Sequence, residues 1–79
     1  MPYIKQQDKD ALCHRPAETP GELNYSITIL VLAYVQTHGL SYKSINDVLG
    51  AIEGAKLEFY RRVAVPYEES KIKLNGDAY

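Results

Sequence analysis

The 79 residues carry nine Lys and Arg against ten Asp and Glu, for a formal net charge of −1, with a single cysteine, Cys13. A domain this small buries only about 60–65% of its unfolded surface and leans on disulfides, metal or association. One cysteine excludes an internal disulfide framework, and His14 and His38 are too few for a zinc set. The balanced charge speaks against duplex nucleic acid as a partner. Association with another chain is the reinforcement that remains.

The longest apolar run, Ile29–Val35, falls far short of the ~20 residues of a membrane span, so no membrane partner is expected. The opening "MPYIKQQDKDAL" lacks the apolar stretch of a signal peptide, and a lone thiol suits a reducing compartment. Cytoplasmic localisation is the expectation. Residues 1–18 read as a polar, aperiodic arm containing Pro2 and Pro16, with a short helical turn around Asp8–Cys13. "TPGE" then marks a helix start. Thr19 caps, Pro20 suits the first helical position, and Glu22 completes a capping box. This helix is expected over 20–38, with Gly39 as a left-handed stop and His38 favourable to the dipole in the last turn.

Leu23, Ile27, Leu30, Val31 and Tyr34 follow the spacing of one buried helical face. Ile29, Leu32, Ala33 and Val35 fill the remaining directions. A helix apolar nearly all round is sheltered on most sides, and a two-helix monomer cannot do that.

In "LSYKS", Ser41 or Ser44 caps the second helix, and Ser44 with Asp47 makes an approximate capping box. This second main helix is expected over 43–64. Pro66 ends or kinks it, and the favoured course is a kinked continuation through "PYEESKIKL" that stops at Asn75–Gly76. The fold class is therefore all-α: a helical hairpin with a C-terminal helical extension. The 79 residues form one domain, made of an arm (1–18), a helical core (19–75) and a tail (76–79).

On a helical wheel of about 100° per residue, Ile45, Val48, Leu49, Ile52, Phe59 and Val63 gather into a core seam. Gly50 and Gly54 fall roughly opposite, with Leu57 and Arg61. Facing water, each glycine costs about 1 kcal/mol relative to alanine. Small residues four apart let another backbone approach, so a homo-oligomer is expected. The alternative is that the arm, or a folded-back C-terminal segment of the same chain, occupies the glycine face.

A third stripe carries Asn46, Glu53, Tyr60 and Tyr67 at every seventh position, with Lys56 beside Glu53 and Tyr60. "GELNY" adds Glu22, Asn24 and Tyr25. The plain reading is a solvated flank with Glu53–Lys56 and Glu58–Arg62 pairs worth a few tenths of a kcal/mol each. The functional reading places Glu53 and Arg61 at the edge of a subunit contact. Arg61, Arg62, Lys71 and Lys73 with Tyr60 and Tyr67 could form a modest anion patch, which Glu58, Glu68 and Glu69 dilute.

Catalysis finds little support. Cys13 and His14 are adjacent, which points their side chains apart. No carboxylate pairing is enforced by spacing, and no glycine-rich phosphate loop is present. No enzyme activity, metal or cofactor is expected.

"PGELNYSIT", "GLSYKSINDVLGAIEGAKLEFYRRVAVPYE" and "NGDAY" resemble a family of short proteins, a domain of unknown function, found widely in bacteriophage and prophage genomes. The resemblance runs from Pro20 to Tyr79 and includes the opening "MPYIK"; "ALCHRPAE" carries no family pattern, as a variable arm would. It implies a phage accessory protein acting in the host cytoplasm. The function expected on these grounds is non-enzymatic binding or sequestration of a small anionic, nucleotide-like ligand, such as a host immune signal, at subunit interfaces. Lys56, Arg61 and Arg62 would meet charge, Tyr60 or Tyr25 would stack, and Glu22, Asn24, Asn46 and Glu53 would hydrogen-bond. The alternative is an interaction module that masks a host or phage protein.

Overall fold

The structure, a computed structural model, describes residues 4–12 and 14–79. Readings that fall on Met1–Tyr3 and Cys13 lie outside the described residues. Every regular element among the described residues is helical: α1 (Gln6–Ala11), α2 (Pro20–His38), α3 (Tyr42–Phe59), a π-helical turn (Tyr60–Ala64) and α4 (Val65–Asn75). The chain divides into two compact units, Met1–Ile45 and Asn46–Tyr79.

In the first unit α2 begins as its sequence dictates. Thr19 is extended and its Oγ1 accepts the Glu22 N–H at 3.1 Å, with Pro20 in the first turn. The reciprocal arm of the expected box lands one residue earlier: the Glu22 carboxylate accepts the N–H of Glu18 at 2.9 Å. At the other end Gly39 has φ 82 and ψ 152, and its N–H reaches the Val35 carbonyl at 2.7 Å. The positive φ is as expected, but ψ is extended, a backbone region that essentially only glycine occupies. His38 stacks on Tyr34 at 4.1 Å, and its Nδ1 lies 3.0 Å from the Tyr34 carbonyl, which can only accept.

The expected arm is more ordered than its polarity suggested. Helix α1 starts at Gln6, ahead of the expected turn, and packs on α2. The Ile4 Cγ2 lies 3.4 Å from where a Cβ of Gly21 would stand. Lys9 Nζ sits 5.3 Å from the Tyr25 ring centre.

The start of α3 takes Ser41, one of the two serines expected, as its cap and places Ser44 inside the helix. Ser41 Oγ accepts the Ser44 N–H at 3.1 Å, and Ser44 Oγ accepts the Ser41 N–H at 2.9 Å. Each hydroxyl satisfies an amide that the helix start leaves unpaired, and Ser44 is buried as a result. The helical backbone then runs on through Pro66, as the continuation reading expects, and the disturbance takes the form of a π turn. Pro66 has no N–H to donate and its ring crowds the carbonyl four residues back. Widening the turn just before it accommodates this: the Val65 N–H bonds to the Tyr60 carbonyl, five residues back. Helix α4 stops at Asn75, where Gly76 has φ 86 and donates to the Ile72 carbonyl at 2.8 Å.

The expected core seam is not buried. Among the described residues no apolar side chain is buried, and the two buried residues, Glu22 and Ser44, are polar. On α3 Ile45, Leu49, Ile52 and Phe59 are exposed, as is Val63 in the π turn, and Val48 is half-buried. On α2 Leu23, Ile27, Leu30 and Tyr34 are exposed and Val31 is half-buried. Among the described residues, the side chains of these apolar faces are thus exposed or half-buried.

Candidate functional site

In the first unit the polar groups converge on Glu22, in the first turn of α2. Arg15 grips its carboxylate with two prongs, Nη1 to Oε1 at 2.7 Å and Nη2 to Oε2 at 3.1 Å. Arg15 also donates to the Pro16 carbonyl at 3.0 Å and lies 3.6 Å from Glu18. Glu22 is only 5% exposed. The Arg15 hydrogen bond, seconded by the Glu18 amide, holds its carboxyl at a pKa of about 2, against an ordinary 4.5. The same bond raises the Arg15 pKa. Both oxygens of Glu22 already accept from Arg15, so a ligand there would have to share or displace that contact.

Its neighbours offer less chemistry. Asn24 is exposed, with its backbone carbonyl oxygen accepting the Thr28 hydroxyl at 2.9 Å. Tyr25 is half-buried under Lys9.

In the second unit the stripe is exposed along its length: Asn46, Glu53, Lys56, Tyr60, Arg61 and Arg62 all face solvent. Lys56 and Glu53 meet only at 4.0 Å. Glu58, by contrast, takes both arginines, Arg61 Nη2 at 2.8 Å and Arg62 Nε at 2.6 Å. One carboxylate thus neutralises a good part of the expected anion patch. Lys71 Nζ lies 5.5 Å from the Tyr67 ring centre, a cation–π contact one turn along α4. Exposed pairs of this kind add little stability, so they leave the stripe available at small cost.

Gly50 and Gly54 are open: among the described residues nothing lies within 4 Å of a Cβ built at either. Within its own unit, the C-terminal segment does not fill that face. Leu57, beside them, is 57% exposed. Among the described residues no group of three or more metal-ligating side chains occurs, and no helix is long and apolar enough to cross a membrane.

Sequence reasoning missed Arg15. It sits in a segment read as an arm, seven residues from its partner, beyond the one-turn spacing that flags helical pairs. The signal that could have found it is Glu22, an acidic residue in the first turn whose capping partner need not be its own backbone.

No curated protein and no solved structure matches the chain. A family model described as a domain of unknown function, DUF6899, matches residues 1–78, and the chain belongs to that family.

Proposed function

We propose that this protein is a non-enzymatic helical module that acts by binding, and that its first partner is a second copy of itself. The observation that carries the reading is the exposure of its apolar side chains. Leu23, Leu30, Leu49 and Phe59 are each more than half exposed. Full burial of such a side chain contributes about 1.5–3 kcal/mol, so each of these leaves roughly 1 kcal/mol or more unrealised. Four of them, with Ile27, Ile29 and Ile52 beside them, are enough to weigh against the entropic cost of association, which runs from about 4 kcal/mol upward. The hairpin expected from the sequence acquires its covered seam in such an assembly, and the bare Gly50–Gly54 face gives a second backbone room to approach. Hydroxyl-radical footprinting tests this reading directly. Slow modification of Leu30 and Phe59 in the native protein supports it, and rates equal to those of the denatured chain refute it.

The narrower reading is a small anionic, nucleotide-like ligand held at the subunit contacts. Lys56 supports it, because Glu53 holds it only loosely, and exposed Tyr60 one turn further on can stack on a base. Arg61 and Arg62 would join only by leaving Glu58. In this reading the protein is a phage or prophage accessory factor in the host cytoplasm, sequestering a nucleotide signal. Calorimetry with cyclic di- and trinucleotides and ADP-ribose derivatives should then give saturable heat that Lys56→Ala and Tyr60→Ala abolish. No heat from the folded protein removes the ligand. A stoichiometric host or phage protein recovered by pull-down from infected cells would instead make the module a masking factor.

A further inference from the structure

We infer that the described residues 4–12 and 14–18 belong to a clip, a segment that opens from the start of α2 as a unit and is locked shut by the Arg15–Glu22 pair. Its attachment is narrow and in large part polar. The six-residue α1 is far below the length at which an isolated helix holds itself together. Its contacts with α2 include Ile4 over Gly21, Lys9 over Tyr25, and the two-pronged Arg15–Glu22 grip, with the Glu18 amide on the same carboxylate. Ile4, Ala11, Leu12 and Ala17 of the clip are half-buried and none is fully buried, so the polar lock adds to a thin apolar contact. Glu22, by contrast, is the one buried charged group among the described residues. Every partner its carboxylate has there belongs to the clip.

The two sides of the lock have different fates when it opens. Helix α2 keeps its Thr19 cap and Pro20 start, which do not depend on Arg15. The clip loses its anchor. Opening therefore uncovers the Gly21 and Tyr25 flank of α2 without melting α2, extending its exposed apolar surface toward the N-terminus. A segment of low local stability tied by a few contacts is where subglobal opening concentrates. This inference does not depend on self-association, and it adds a control point to the α2 surface.

Amide hydrogen exchange on the full chain at neutral pH tests it. The N–H groups of Asp8, Lys9, Leu12 and His14, which bond to the Lys5, Asp8 and Ala11 carbonyls, report the clip. Those of Gly39 and Gly76 report the ends of α2 and α4. Glu22→Gln and Arg15→Gln should each lower protection of the clip amides roughly tenfold or more, the loss expected for a charge-assisted bond. Protection at Gly39 and Gly76 should stay unchanged. Because both residues act through one lock, the double variant should lose little beyond either single one. Unchanged clip protection in both single variants would overturn the inference, as would a parallel loss at Gly39, which would make the pair part of one cooperative unit with α2.

Discussion

Replacing Gly50 and Gly54 together with alanine gives opposite results depending on what faces them. Both lie inside α3, and the positive-φ glycines among the described residues are Gly39 and Gly76. Neither position therefore needs glycine for its backbone. Among the described residues nothing lies within 4 Å of the Cβ that alanine would add. In an isolated chain each substitution removes a helix penalty of about 0.8–1.0 kcal/mol, or about 2 kcal/mol for the pair. At about 4–8 °C per kcal/mol for a domain of this size, the melting temperature should then rise by about 8–16 °C. Where a second backbone lies against the stripe, the same methyl groups overpack it, at a cost of about 1–3 kcal/mol. The expected outcome is the second one: a lower, concentration-dependent melting temperature by circular dichroism, and a smaller particle by light scattering. A variant stabilised by the full ~2 kcal/mol with its mass unchanged would show that the glycines face water and would refute the reasoning.

The local geometry sets three further outcomes. The Glu22 carboxyl is held at a pKa of about 2, against an ordinary 4.5. Because the folded value is the lower one, its contribution is complete above about pH 4.5 and fades as pH falls toward 2. Arg15 and Glu18 face it, with Asp8 acting on Arg15. Urea midpoints of the wild type should fall across that window, and those of Glu22→Gln should fall less. Gly39→Ala places a Cβ at φ 82 and ψ 152, which should cost about 1–3 kcal/mol in urea denaturation, the reverse of the sign at an open helical glycine. Ser41→Ala removes the hydroxyl that accepts the Ser44 N–H. It should cost about 1 kcal/mol, and Ser41→Asp should restore most of it.

Near neighbours govern what can be read from this sequence. Thr19 and Pro20 open α2 and Gly39 closes it because capping depends on residues within one turn. The stop at Asn75–Gly76 and the passage through Pro66 obey the same local rules. The Glu58–Arg62 pair is likewise visible in its spacing. Ser44 pairs with Ser41 because a serine hydroxyl can serve an amide on its N-terminal side as well as its C-terminal side, and spacing alone does not rank the two. Arg15 is hidden because its partner is reached by chain folding rather than helical repeat. The seam of Ile45, Leu49, Ile52 and Phe59 shows the limit most plainly: periodicity gives the apolar face of a helix, and the identity of what covers it lies in surfaces elsewhere. The same holds for the stripe, where spacing brings Lys56 near Glu53 and Tyr60 but does not encode a ligand.

The most direct measurement is the mass of the full-length protein in solution at micromolar concentration, by size-exclusion chromatography with light scattering. Self-association requires a mass of two or more whole copies of the 8.9 kDa chain. A stable, folded particle of 8.9 kDa would contradict it and would leave the exposed faces of α2 and α3 to a different partner.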